Sequence, residues 1–233
     1  MGLVSDTPIA SISYDKTRCV YQLDDGRKFV FRPDKPAGLL YSIPYSGDFE
    51  VKETGYVKRT IGKDWVCLDV GGCFGWYTVL FADLAGPKGL VHVFEPVPVN
   101  RECLVENITI NECSNVTVHP YALGDKPART TIYVPEGGVS GSLRAHRSVA
   151  DCNAIEVQVY TLDNFARESS LARIDFIKAD IEGAELLFLQ GGEKTLRRFK
   201  PTLMLEVQAH STRLFGYEPK QLFRFMHDLG YAI

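Results

Sequence analysis

Trp65-Val66-Cys67-Leu68-Asp69-Val70-Gly71-Gly72-Cys73-Phe74-Gly75-Trp76-Tyr77-Thr78 is the stretch whose reading decides the fold. Its first half is a short apolar run of strand formers. From Tyr77 to Leu84 apolar residues recur with helical spacing, so the chain passes from strand to helix through glycines. Such a turn exposes backbone N–H groups at a helix N-terminus, and the missing Cβ atoms at Gly71, Gly72 and Gly75 let a ligand approach the main chain. The dinucleotide fingerprint is only partly met. Gly72 and Gly75 can serve as its second and third glycines, but Val70 stands in place of the first. The mismatch favours a nucleoside ligand other than NAD and keeps an NAD-type oxidoreductase as a rival reading.

The 233 residues suit one large domain with a substantial core, and 45% hydrophobic with 24% charged residues is ordinary globular composition. A formal net charge of -3 offers no global attraction to nucleic acid, so no nucleic-acid partner is expected. No apolar run approaches membrane-spanning length, and Met1 to Ser13 lacks the pattern of a secretory signal. The six cysteines, at 19, 67, 73, 103, 113 and 152, form no Cys-x-x-Cys pair and no zinc-like cluster. Reduced thiols in a cytoplasmic protein are the simple reading, and no metal is assigned.

Outward from the glycine turn the pattern is regular. Strands at 65–70, 90–94 and 116–120 alternate with helices at 74–84 and 99–110, which predicts a parallel sheet with helices on both faces. Further strands are expected at 130–134 and 155–160, flanking a polar loop with Gly137, Gly138, Gly141, Arg144, His146 and Arg147. Alternation then resumes with strand 174–179, helix 184–190, strand 202–207 and helix 220–229. Before the sheet, 1–48 reads as a small β-rich cap with strands at 19–23 and 28–32, and 49–61 reads as a helix opening the main domain of 49–233. At Gly230-Tyr231-Ala232-Ile233 another strand begins where the sequence stops, so the C-terminal strands of the sheet are expected to be missing.

In an open α/β sheet, ligands bind beyond the carboxyl ends of the strands, where strand order reverses. That rule nominates Asp69 and the glycines, Glu95 with Pro96, the segment Tyr121 to Asp125, and Asp180-Ile181-Glu182-Gly183. Glu95 can accept hydrogen bonds from both hydroxyls of a ribose; the competing reading is a cap for the next helix. Asp180 and Glu182 are candidates for a general base, whereas Glu185 suits a helix N-terminus equally well. Glu206 interrupts an apolar strand near its carboxyl end and needs either a partner or the cleft, where it counts with Asp180 and Glu182 as a catalytic candidate. His210 stands where it could reach a substrate, or it is a solvated loop histidine. Arg144, His146 and Arg147 could clamp a polyhydroxylated or anionic substrate, or belong to a surface loop.

These residues resemble the FkbM-type methyltransferases, a branch of the class I S-adenosylmethionine-dependent enzymes. The similarity rests on Leu68 to Thr78, Val93-Phe94-Glu95-Pro96-Val97-Pro98-Val99-Asn100, Asn107 with Asn111, Ala122-Leu123-Gly124-Asp125, Thr161-Leu162-Asp163, and Ile174 to Glu185. It implies a Rossmann-like sheet ordered 3-2-1-4-5-7-6 and transfer of the methyl of S-adenosylmethionine, usually to a hydroxyl of a sugar, polyketide or related small metabolite. Cofactor roles then fall on Asp69, Gly71, Gly72, Gly75, Glu95, Pro96, Ala122 and Leu123. Gly72-Cys73 replaces the Ala-Asn common in the family. A catalytically inactive, methyltransferase-like binding module that completes its sheet with a partner is the alternative of a different class.

Overall fold

The structure, a computed structural model, describes residues 8–32, 49–135 and 152–232. Strand β4 (Val66–Val70) is buried along its whole length, as a central parallel strand covered on both faces must be. Beside it lie β5 (Leu90–Phe94), β6 (Val116–His119), β10 (Phe176–Ala179) and β11 (Thr202–Leu205). All pair in parallel, in the spatial order β11-β10-β4-β5-β6. This is the 3-2-1-4-5 part of the expected sheet, and strand order reverses between β4 and β10.

Side chains on β4 alternate between two cores. Cys67 packs towards α2 (Trp76–Ala85) with Val79, Phe81 and Phe176, while Val66, Leu68 and Val70 join Phe165, Ile177, Leu186 and Leu189 on the opposite face. Asp69 shares parity with Cys67 and so lies under α2. By the register Asp69↔Lys178, the side chain of Lys178 stands beside it on that same face. Helix α2 starts two residues later than expected because its N-cap, Gly75, sits at φ 94°. The helix expected over 49–61 is α1 (Val51–Thr60), and that over 99–110 is α3 (Pro98–Ile110), which opens on a proline.

The strands expected at 130–134 and 155–160 are longer: β8 (Ala128–Pro135) and β9 (Cys152–Tyr160) form an antiparallel pair outside the main sheet, extended by the two-residue β7 (Ala122–Leu123). Three short helices lacked a usable periodicity: α4 (Leu162–Glu168), α6 (Glu193–Phe199) and α7 (Ala209–Leu214). Helix α5 (Glu185–Gly191) ends where Gly191 meets the backbone of Gly124. The last helix, α8 (Pro219–Asp228), begins with Pro219 and a reciprocal capping box between Glu218 and Gln221.

At the N-terminal side, β1 (Ile9–Tyr14), β2 (Cys19–Leu23) and β3 (Lys28–Phe31) make an antiparallel sheet whose Ile9, Leu23, Phe29 and Phe31 share one core with Phe74, Trp76 and Phe81. Phe29 stacks on Trp76 at 5.0 Å and meets Phe74 edge-on at 6.1 Å. Asn107 on α3 and Asn111, the C-cap one turn later, hold β3 along its edge. Asn107 accepts from the N–H of Val30 (2.8 Å) and donates to the carbonyl of Phe74 (2.8 Å); Asn111 accepts from the N–H of Lys28 (2.8 Å) and donates to its carbonyl (2.7 Å). The cap is thereby tied to the glycine turn itself. Among the described residues no helix is long and apolar enough to cross a membrane.

Candidate active site

The carboxyl ends of β4, β5, β10 and β11 bring Asp69, the glycine turn, Glu95, Asp180 and Glu206 to one edge of the sheet. The turn itself works differently from the sequence expectation. The N–H groups of Gly71 and Gly72 both donate to the carbonyl of Phe94 (2.9 and 3.3 Å), and that of Gly75 donates to the carbonyl of Gly72 (2.7 Å). Space beside these glycines is filled by protein. A Cβ on Gly71 would stand 2.1 Å from the carbonyl oxygen of Asp180, and one on Gly72 would stand 2.1 Å from Cγ2 of Val93. The glycines therefore let strands and turn pack closely, and the expected cradle of glycine amides facing a ligand is corrected.

Glu95 ends β5 with its carboxylate aimed back at the turn. Oε2 accepts from the N–H of Cys73 (2.8 Å); Oε1 accepts from the N–H of Val97 (2.9 Å) and Nδ2 of Asn100 (3.4 Å). Burial pushes its carboxyl up to about 7 against these three hydrogen bonds, which favour the charge. Among the described residues Oε2 takes one donor, leaving capacity for another. Glu95 thus fixes the entry to α3 and also presents an acceptor beside the turn. Pro96 is half-buried, and its carbonyl accepts from Arg101 (2.8 Å).

Asp69 is buried under α2, where Oδ2 accepts from the hydroxyl of Thr78 (2.6 Å) and Oδ1 has no hydrogen-bond partner among the described residues. Burial raises its pKa, and the charge of Lys178 opposes the rise. Lys178 had no assigned role from sequence. Its Nζ lies 3.1 Å from Oδ2 of Asp180 and 4.8 Å from the centre of the Tyr77 ring, whose hydroxyl donates to Glu50 (2.5 Å). The signal was present: a lysine inside the apolar strand Phe176-Ile177-Lys178-Ala179 must be paired if it is buried.

Asp180 and Glu206 stand side by side at neighbouring strand ends, one residue past the register pair Ala179↔Leu205, with the N–H of Glu206 donating to the carbonyl of Ala179 (3.0 Å), and Gln208 Nε2 donates to Oε1 of Glu206 (2.6 Å). For Asp180 burial works upward, but the Lys178 charge, the neighbouring Glu206 carboxyl and the hydrogen bond from Lys178 outweigh it and hold the pKa low. Burial, then the neighbouring Asp180 carboxyl and its charge, push Glu206 up to about 8. Glu182 sits half-buried in the turn after β10 at φ 56°, and its charge reaches Glu206. Glu185 takes the structural alternative: it is buried, and Oε1 accepts from the N–H groups of Ile181 (3.1 Å) and Gly183 (3.3 Å).

His210 is exposed at the start of α7, next to Ser211, whose backbone closes on Gly183. The side chain of Leu123 is buried in the core with Phe94, Leu162 and Phe165, so it can meet a ligand only through its backbone; Ala122 is half-buried. Arg144, His146 and Arg147 lie outside the described residues. Two open cavities, of about 690 and 600 Å³, sit elsewhere: one between α4, α5 and α6, the other between the β2–β3 turn and the C-terminal half of α2. Neither is lined by Asp69, Glu95, Asp180 or Glu206.

The family model described as the methyltransferase FkbM domain matches residues 69–233. Methyltransferase 1 of Beauveria bassiana (strain ARSEF 2860) is 25% identical over 142 residues, covering 53% of this chain and 57% of that protein. The 2-O-methyltransferase NoeI of Sinorhizobium fredii (strain NBRC 101917 / NGR234) is 28% identical over 149 residues, covering 58% of this chain and 60% of that protein. The chain thus spans less than two thirds of either curated relative. Among solved structures, the methyltransferase FkbM of Methylobacillus flagellatus KT aligns with a TM-score of 0.48 and 19% identity, over 85% of this chain and 50% of that one. The fibrillarin of Aeropyrum pernix, solved with natively bound S-adenosyl-L-methionine, aligns with a TM-score of 0.46 and 13% identity, over 97% and 91%. With the family model matching well over half of its length, the chain belongs to the FkbM methyltransferase family.

Proposed function

We propose that this protein is an S-adenosylmethionine-dependent O-methyltransferase that acts on a hydroxyl of a sugar, polyketide or related small metabolite. The observation that carries the reading is the meeting of Glu95, Asp69 and Asp180 at one sheet edge, around the point where strand order reverses. These residues suit the cofactor chemically. Glu95 keeps acceptor capacity on Oε2 for the ribose hydroxyls, and Asp69 has a buried oxygen that no donor meets among the described residues. Bound S-adenosylmethionine would supply an electrophilic methyl on a positively charged sulfur.

The protein's task is then alignment and late removal of one proton. Asp180 would accept the proton that the acceptor hydroxyl gives up as it is methylated. Asp180 suits this role because its surroundings favour the ionised form. Glu182 and His210 flank the same end of β10 and are assigned to the acceptor side. The related 2-O-methyltransferase supports a hydroxyl acceptor.

Calorimetric titration with S-adenosylhomocysteine tests the cofactor site. The native chain should bind, and Glu95→Ala should weaken binding about tenfold or more, the worth of a hydrogen bond to a charged group. Equal affinity in the variant removes Glu95 from the ribose role. Binding of NADH in place of S-adenosylhomocysteine would instead establish the oxidoreductase reading.

A further inference from the structure

Lys178 is 6% exposed in the middle of the β10 segment, and lysine is almost never buried without a partner. Three acidic groups act on it, and a fourth stands behind one of them. Asp69 is its register neighbour on β4, Asp180 follows it on its own strand with an oxygen at 3.1 Å, Glu50 acts from the N-cap of α1, and Glu206 joins Asp180 from the end of β11. The Tyr77 ring of α2 lies 4.8 Å from Nζ. Charges of Glu182 and Asp180 also reach Glu206, and Gln208 donates to it.

Asp180 and Glu206 follow the register pair Ala179↔Leu205 and so sit next to each other at the strand ends, where two like charges disfavour one another and one carboxyl tends to keep its proton. The ammonium of Lys178 touches Asp180, which breaks the symmetry of the pair. We propose that Lys178 is a positioning residue that fixes Asp180 as the ionised member of the pair and Glu206 as the protonated one, so the proton leaving the acceptor hydroxyl has a single destination. The inference deepens the proposed methyl transfer and rests on it for the last step. On transfer, Asp180 gains that proton while Glu206 keeps its own; both carboxyls are then neutral until Asp180 releases the proton to water. Lys178 stays charged throughout.

Carboxyl-selective carbon NMR on the full chain without ligand tests the assignment. In the native protein Glu206 should titrate near pH 8, while Asp180 stays ionised through neutral pH. Lys178→Met should bring the titration of Asp180 up into the neutral range, and Lys178→Arg should preserve the native profile. An Asp180 titration identical in native and Lys178→Met protein overturns the proposal. Should Lys178→Met fail to fold, Lys178→Gln carries the same test, an Asp180 titration identical to the native one overturning the proposal, and Glu206→Gln checks the other half: persistence of the native alkaline step in that variant overturns the protonated assignment of Glu206. Calorimetry with S-adenosylhomocysteine, run beside the titrations, separates the two claims: absence of binding to the native chain removes the cofactor reading, whereas only the carboxyl titrations decide the role of Lys178.

Discussion

The Cα of Gly71 faces the carbonyl oxygen of Asp180 so closely that a Cβ built on it would stand 2.1 Å from that oxygen. The contact joins the ends of β4 and β10 at the point where strand order reverses, and Gly71 also sits at φ 85°. Gly71→Ala adds left-handed strain to a collision with backbone that cannot rotate away. The variant should lose at least about 2 kcal/mol, measured by urea denaturation, and should move Asp180. A denaturation midpoint equal to the native one would show that the two strand ends can separate freely.

Asn107 predicts a ranking. It is fully buried and satisfies the N–H of Val30 and the carbonyl of Phe74, whereas Asn111, one turn later, is half-buried. Asn107→Ala leaves two buried backbone groups unpaired and should cost on the order of 3 kcal/mol; Asn111→Ala should cost less, because water can reach its partners. Equal losses would contradict the burial difference.

Thr78→Val replaces the hydroxyl that donates to buried Asp69 with a methyl of similar size. The loss should be about 1.5–3 kcal/mol, as for other hydrogen bonds to charged groups. Asp69 should also titrate higher, since burial already raises it and one opposing bond is gone. Carboxyl NMR reads both states of Asp69 directly.

Glu95 links stability to pH with a defined sign. Its folded pKa, about 7, lies above its ordinary value of 4.5, so the folded state holds the proton more tightly. The contribution is fully present below 4.5 and is lost as pH rises through 7. Between those limits the native protein should lose stability relative to Glu95→Gln, which cannot titrate. Denaturation midpoints of the two proteins, compared across that window, should converge towards its alkaline end or cross; parallel curves would exclude a raised Glu95.

Much of the sheet was legible because a parallel strand covered on both faces must be an unbroken apolar run, as Val91 to Phe94 and Ile174 to Ala179 show in part. Helices α4, α6 and α7 escaped because six or seven residues hold less than two turns of periodicity. The glycine turn was found for its pattern, but its reason was hidden: Asp180 and Val93, the neighbours that demand glycine at 71 and 72, are distant in sequence. Lys178 was hidden in a similar way. Its partners come from β4, α2 and the turn after β10, and only folding brings those charges around one strand position.

The stacking of Phe29 on Trp76 and the strap from Asn107 to Phe74 bear on how a minimal fragment should be cut. Starting expression at residue 49 would strip aromatic cover from the very loop that carries Cys73 and contacts Glu95. Such a shortened protein would expose greasy rings to solvent and tend to precipitate, so anyone seeking a compact catalytic unit should retain the leading hairpins.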